Sequence, residues 1–341
     1  ILAEPERTNL IEYSEAFDNA YWTKSGASVT SGFTSPDGTD NAFKLVEDTS
    51  TDSHYLFKNI GAADGSTNTA SVFAKKEERT HITLYSGANF TDSCTFNLVN
   101  GTSVDNGTSI SKIEPISNGW YKCSVTSINK IVRTYIMLNN GSSTSYTGDG
   151  TSGVYIYGAS LEEGSYPTSY IPTSGSTVTR NQDIFTRDGI GSLIGQTEGT
   201  FFIELSKPVL NPDTYYLISL NNAASNSDNN GVVIGFDSGD DDFYIRLKAN
   251  SSTIYASQNI ASLTNTFYKI AVAYKSGASL IYIDGIPITP NTGSLSTAFT
   301  FSETLDNLSF DYDGDNGLPF YGNVKQLQVY KTALTDDTLA L

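Results

Sequence analysis

Charge is scarce in this chain, and basic charge scarcest of all. Of 341 residues 17% are charged, and 20 Lys and Arg stand against 37 Asp and Glu, a formal net charge of -17. Soluble proteins usually carry about 25% charged residues. The acid excess repels phosphate backbones and anionic lipid, so no nucleic acid and no membrane is expected as a partner. A single Met argues against a helical bundle, which draws on Met, Leu, Ala, Glu and Lys. No apolar run approaches the roughly 18 residues of a membrane-spanning helix. The opening Ile1-Leu2-Ala3-Glu4 has neither an initiator Met nor a signal-like core, so a longer parent chain is expected. Cysteine is limited to Cys94 and Cys123, and histidine to His54 and His81, which leaves few partners for a catalytic thiol. Cys94 alternates with Phe96 and Leu98, and Cys123 with Tyr121 and Val125, so both read as buried free thiols. A bond between them stays open, because spacing alone does not bring two strands together.

What the chain has in place of charge is Ser, Thr and Asn, 29 Gly, 21 Tyr and 17 Phe. The aromatic content supplies enough buried surface to offset chain entropy, which excludes disorder. Period-two alternation runs through Thr69–Ala74, His81–Tyr85, Val154–Tyr157 and Asp242–Leu247, separated by turn clusters such as Asn139-Asn140-Gly141. Leu280–Ile283 and Ile286–Ile288 flank Asp284-Gly285, a type I′ hairpin signal. Thr335 suits the N-cap of a short helix over 336–341. The fold class is therefore all-β, two tandem antiparallel β-sandwich (jelly-roll) domains. The boundaries are a β-sandwich over 1–165, an extended linker over 166–183 and a jelly roll over 184–341. The linker assignment rests on Pro167, Pro172 and the loss of alternation between them. Trp120-Tyr121-Lys122-Cys123-Ser124-Val125 and Phe267-Tyr268-Lys269-Ile270-Ala271-Val272 repeat one aromatic-Tyr-Lys-x-x-Val pattern about a domain's length apart.

Three segments make the second half similar to laminin-G-like, concanavalin-A-like jelly rolls. They are Gly199–Leu205, Phe267–Tyr274 running into Ile281–Gly285, and Phe320–Tyr330 followed by Ala333-Leu334-Thr335-Asp336. The first half resembles the carbohydrate-binding-module-like sandwiches of phage tail and other virion proteins. That likeness rests on Thr8–Phe17, Asn19–Lys24, Asn118–Cys123 and Gly158–Gly164, with Pro167–Thr173 as a typical connector. The resemblance implies a tail-fibre or other virion or extracellular surface protein that touches glycans, with other virion proteins as partners. It describes architecture better than ligand.

Catalysis by such a jelly roll would need two carboxylates held roughly 5–9.5 Å apart. In laminarinase-like relatives they come from one strand with the pattern Glu-x-Asp-x-x-Glu, which this chain lacks. Glu77 and Glu78 are adjacent and point to opposite faces, and Glu204 stands alone in its strand. The lyase pairing of Tyr or His beside Arg has chemical counterparts in His81 with Tyr85 and Arg133 with Tyr135, but not the surrounding motifs. The expectation is a non-enzyme.

Glycan contact needs aromatic platforms beside hydroxyl, amide and charged groups. If Ile82, Leu84, Val72, Val154 and Ile156 face the core, alternation turns Phe73, His81, Tyr85, Tyr155 and Tyr157 outward, and Arg133 and Tyr135 join them if their strand adjoins. These seven are the candidate glycan-binding residues. The alternative is a face packed against a neighbouring subunit or domain. Trp22 and Trp120, at strand entries, read as core plugs. Asp311, Asp313 and Asp315 place acids at alternate positions, a candidate calcium loop of the kind laminin-G-like domains carry; the alternative is a solvated turn. Asp240-Asp241-Asp242 is a second acidic cluster. The sequence thus predicts a non-catalytic virion fibre or decoration protein, oligomeric and preferably trimeric, presenting glycan-binding sandwiches for host-surface adhesion. A structural spacer without ligand and a polysaccharide-degrading enzyme are the alternatives.

Overall fold

The computed structural model describes residues 1–61, 66–85, 93–127, 133–207, 216–224, 229–237, 242–257, 260–262, 266–311 and 318–339. Every pairing between named strands is antiparallel, and they form two compact units, Glu6–Asn181 and Ile1–Pro5 with Gln182–Leu341. The only α-helix among the described residues is Asp336–Leu339, and no helix among them is long and apolar enough to cross a membrane.

The Glu6–Asn181 unit is a sandwich of two six-stranded sheets. The front sheet runs Thr102–Asn106, Ser93–Asn97, His81–Tyr85, Arg133–Asn139, Tyr55–Asn59 and Thr23–Ser25 in spatial order. The back sheet runs Ile110–Pro115, Trp120–Ser127, Asn68–Lys76, Gly153–Glu163, Ala42–Glu47 and Ala27–Phe33. Alternation decides what lies between them. Leu56, Ile82, Leu84, Phe96, Ile136 and Leu138 from the front meet Leu45, Ala70, Val72, Val125, Val154, Ile156 and Leu161 from the back. Cys94 and Cys123 join this core as free thiols; burial pushes Cys94 up to about 12 and Cys123 higher still, so neither is a nucleophile at neutral pH.

Residues 166–181 are not a free linker. Thr168 donates its amide and hydroxyl to the buried carboxylate of Glu162, Thr173 donates its hydroxyl to the Ile11 carbonyl at 2.6 Å, and Val178–Arg180 pairs with Arg7–Asn9. Asn9, fully buried, ties this segment at Ile171 to the strand Gly153–Glu163 by donating to the carbonyls of Ala159 and Ile171 and accepting from Leu161. The anchors are single polar contacts with no period, so alternation is silent about them.

In the other unit, one sheet comprises Leu2–Ala3, Gly322–Tyr330, Glu198–Ser206, Tyr268–Lys275, Leu280–Ile283 and Ile286–Pro287. Its partner comprises Thr186–Arg187, Asn307–Ser309, Tyr216–Asn221, Gly231–Phe236, Phe243–Ala249, Ser252–Ser257 and Thr292–Gly293. The first five residues of the chain belong here, because Leu2 and Ala3 pair with Asn323 and Gly322. The hairpin turn forms at Asp284 and Gly285, both with positive φ (49° and 75°), and the Asp284 carboxylate accepts the Lys269 amide at 2.8 Å.

Candidate functional site

All seven candidate glycan residues occupy outward register positions, but on two different sheets. His81, Tyr85, Arg133 and Tyr135 share the outer face of the front sheet; Phe73, Tyr155 and Tyr157 lie on the outer face of the back sheet. The single face expected from the sequence therefore does not exist. Strand alternation distinguishes inside from outside, whereas sheet membership is set by long-range pairing.

The front face is an aromatic row set in polar surroundings. Across adjacent strands Tyr85 is the register partner of Tyr135, and Tyr135 of Phe57. The Phe57 and Tyr135 rings stack 4.8 Å apart at 11°, Tyr55 tilts onto Tyr135 at 5.3 Å, and Tyr85 meets Tyr135 edge-on at 6.1 Å. Tyr135 is 5% exposed at the centre, while Tyr55, Phe57 and Tyr85 around it are half-buried. Tyr55 and Phe57 were missed by the sequence reading. Their signal was available, because Tyr55-Leu56-Phe57 alternates around a core leucine.

Beside the rings runs a polar strip. His81 is paired in register with both Asn97 and Asn139, and Thr83 with Thr95 and Met137. Asn139 donates to the Thr83 hydroxyl at 3.2 Å, and the Thr83 and Thr95 hydroxyls bond at 2.9 Å. Burial pushes the His81 pKa down, and its Nδ1 already bonds the Thr80 hydroxyl at 2.9 Å, so the ring turns its Nε2 side to a ligand. Arg133 is exposed opposite Asn59 at the other end of the row. Thr83 and Asn139 are themselves buried (2% and 6% exposed), so what this face offers a polyhydroxylated ligand is its half-buried rings, His81 and the exposed Arg133.

The back face is covered at its centre, while Phe73 and Tyr155 stay half-buried. Tyr157 is 6% and Trp120 1% exposed, packed with Phe33, Phe73, Ile116, Tyr155 and Tyr170 in a second small core outside the sheet. The Tyr157 hydroxyl lies 3.0 Å from carboxylate oxygens of both Glu15 and Asp37, and Tyr170 donates to Ser14 at 2.7 Å. Hydroxyls of Ser35 and Thr39, then the Thr39 amide, hold Asp37 well below the usual carboxylate range. Gly158, at φ 59°, permits the cover to come this close: a Cβ there would sit 3.0 Å from the Tyr170 ring and 3.1 Å from Phe73. Tyr157 is thus a packing residue, while Phe73 and Tyr155 are half-buried like Tyr55, Phe57 and Tyr85 on the front. Trp22 and Trp120 are both buried plugs, Trp22 in the central core and Trp120 under this cover.

Among the described residues, neither outer face in the other unit has an aromatic row like this one. One is covered by the chain's own Ala333, Leu334 and Leu339 over Ala271, Ala273 and Tyr282. The other carries a buried ladder in which Thr186 donates to Asn307, Asn307 to Asn221 and Asn221 to Ser219. Of the candidate calcium ligands, Asp313 and Asp315 lie outside the described residues, and Asp311 is 2% exposed. Asp240 and Asp241 likewise lie outside them; Asp242 forms a bridge with Ala261. No group of three or more His, Cys, Asp or Glu among the described residues is placed to hold a metal ion.

Residues 207–340 match the Laminin_G_3 family model, described as the concanavalin A-like lectin/glucanases superfamily. No curated protein matches the chain. Among solved structures, the CBM40 of the Ruminococcus gnavus IT-sialidase is 14% identical, with 46% of this chain and 96% of that one covered at a TM-score of 0.34. A putative carbohydrate binding protein from Bacteroides ovatus is 12% identical over 86% and 80% of the two chains at 0.33. Domains LG4-5 of the mouse laminin α1 chain are 12% identical over 92% and 96% at 0.28. Scores this low do not bear on what the chain binds.

Proposed function

We propose that this protein is a non-catalytic glycan-binding module that engages sugar chains on the front face of its Glu6–Asn181 sandwich. The observation that carries the reading is the row Tyr85, Tyr135 and Phe57, with Tyr55 beside it and His81 and Arg133 at hand. The rings take the apolar faces of pyranoses, and the imidazole and guanidinium groups take their hydroxyls. The superfamily match of residues 207–340 supports a lectin-like setting, though a shared fold does not by itself carry a function. Such shallow faces bind weakly one at a time. A homo-oligomer, with a trimer favoured, on a virion fibre or another extracellular surface would add the avidity that adhesion needs. Calcium at Asp311, Asp313 and Asp315 belongs to the same proposal as a stabiliser of the second unit.

A glycan array probed with the assembled protein tests the reading. Binding that is lost in Phe57→Ala and Tyr85→Ala supports it. Absence of binding at high avidity overturns it in favour of a structural spacer, and release of reducing ends or unsaturated products from a bound polysaccharide would make the chain an enzyme. Labelling of intact virions with an antibody to the chain tests the virion setting.

A further inference from the structure

The two ends of the space between the sheets of the Glu6–Asn181 unit treat inward-facing charge in opposite ways. At the end where Gly153 begins its strand, Glu47 is 1% exposed and its carboxylate is saturated: Arg79 donates from Nε and Nη2, Tyr146 from its hydroxyl at 2.7 Å and Asp149 from its amide at 2.9 Å. At the opposite end, where that strand finishes, Glu163 sits in register with Asn68. Both lie two residues beyond core side chains, Leu161 and Ala70, and Lys58 lies two beyond Leu56. Alternation therefore turns Lys58, Asn68 and Glu163 toward the inter-sheet space where apolar side chains would continue the core.

They do not continue it; with Glu12, Tyr21 and Asn59 they line a pocket of about 410 Å3, within the roughly 300–1,000 Å3 of small-molecule sites. Glu12, Lys58 and Glu163 form no ion pair among the described residues, although they face one pocket. Lys58 is held in place, its ammonium 3.9 Å from the Tyr21 ring centroid, and that ring is itself braced by Tyr13 at 5.4 Å and Trp22 at 5.7 Å. The Tyr21 hydroxyl accepts the Glu12 amide at 3.2 Å, which fixes the backbone carrying that carboxylate.

We propose that this pocket is a second carbohydrate subsite, which receives a single sugar residue bearing hydroxyl or amino groups and discriminates against acidic sugars. Two carboxylates against one ammonium leave the pocket net negative in a chain already at -17, so a uronic acid, sulfate or phosphate is repelled. Carboxylates accept from hydroxyl or ammonium groups, while Lys58 and the side-chain amides donate to hydroxyl oxygens. Asn59 connects the subsite to the front face, because it lines the pocket and pairs in register with Arg133 at the end of the aromatic row. A chain lying on that face can deliver its terminal residue here. The inference deepens the glycan reading, and the subsite itself can be tested separately from the front face.

The test is titration calorimetry and saturation-transfer NMR on the full chain with glucosamine, methyl glucoside, methyl galactoside and glucuronic acid, with array binding of polysaccharides measured in parallel. Expected is millimolar binding of the neutral and amino sugars, glucosamine at least threefold tighter than glucuronic acid. Glu163→Gln and Glu12→Gln should reduce that preference about threefold, and Lys58→Met should weaken all the sugars about tenfold. Melting temperatures and Lys58→Arg, which keeps the charge and should restore most binding, separate loss of the subsite from loss of fold. Equal or tighter binding of glucuronic acid overturns the proposal, as does indifference of monosaccharide binding to all three pocket variants. Polysaccharide binding with no monosaccharide binding refutes the subsite and leaves the front-face reading standing; the converse retains the subsite and refutes the front face.

Discussion

The front and back sheets of the Glu6–Asn181 sandwich obey one alternation and end with differently built surfaces. Both turn aromatic residues outward, Tyr85, Tyr135 and Phe57 on the front, Phe73, Tyr155 and Tyr157 on the back. On the back, residues 166–174 return over the sheet, and Tyr170 with Trp120 converts the outer face into a second core. On the front, Tyr135 is buried at the centre and the rings of Tyr55, Phe57 and Tyr85 around it keep part of their surface, as Phe73 and Tyr155 do beside the buried Tyr157 on the back. The front differs in having, among the described residues, no such cover drawn from residues 166–174. An outward aromatic is therefore a binding residue only if the chain does not later bury it. The same contrast separates the ends of the inter-sheet space, one sealed by the Glu47–Arg79 pair and the other open at Lys58 and Glu163.

This contrast can be broken by substitution, and the largest effect is expected where the surface is sealed. Trp120→Ala should cost about 3–5 kcal/mol in denaturant unfolding of the Glu6–Asn181 unit. A loss below about 1 kcal/mol would mean that the back-face cover is not a core. Glu47→Ala should cost about 3 kcal/mol, because it leaves the Arg79 guanidinium beside the core without its carboxylate. Burial raises the Glu47 pKa, but the hydrogen bonds from Arg79, Tyr146 and Asp149 outweigh it and leave the group below its ordinary 4.5. The folded state thus binds protons less readily than the unfolded one. The stability from this pair is complete above pH 4.5 and declines as the pH falls through the folded value; Glu47→Gln should flatten that acid limb. On the open face, Phe57→Ala should lower stability by about 1 kcal/mol and glycan affinity about tenfold. The reverse pattern would move the function to the back. The smallest expected effect is a fall of a few degrees in the melting temperature of the second unit on adding a calcium chelator, scanned calorimetrically; an unchanged transition would count against Asp311, Asp313 and Asp315 as ligands.

Much of this was legible from local pattern. Alternation placed Ile82, Leu84, Val72, Val154 and Ile156 inward and their neighbours outward, as they are found. Asp284-Gly285 announced its hairpin, because only residues tolerant of positive φ make that turn. What local pattern does not carry is which distant strands pair. His81–Tyr85 lies between Ser93–Asn97 and Arg133–Asn139 rather than beside Gly153–Glu163, and this divides the seven candidates between two faces. The Pro167–Thr173 segment looked like a connector because its contacts are isolated anchors at Thr168, Tyr170 and Thr173. The pocket left a local trace: Lys58, Asn68 and Glu163 each break a run of inward apolar positions.

The most direct measurement of the central claim is calorimetric titration of an array-selected oligosaccharide into the wild-type chain and the Phe57→Ala/Tyr85→Ala double variant. The account predicts that the variant keeps its cooperative unfolding transition and loses binding by at least about tenfold. Undiminished affinity in a folded double variant would contradict it.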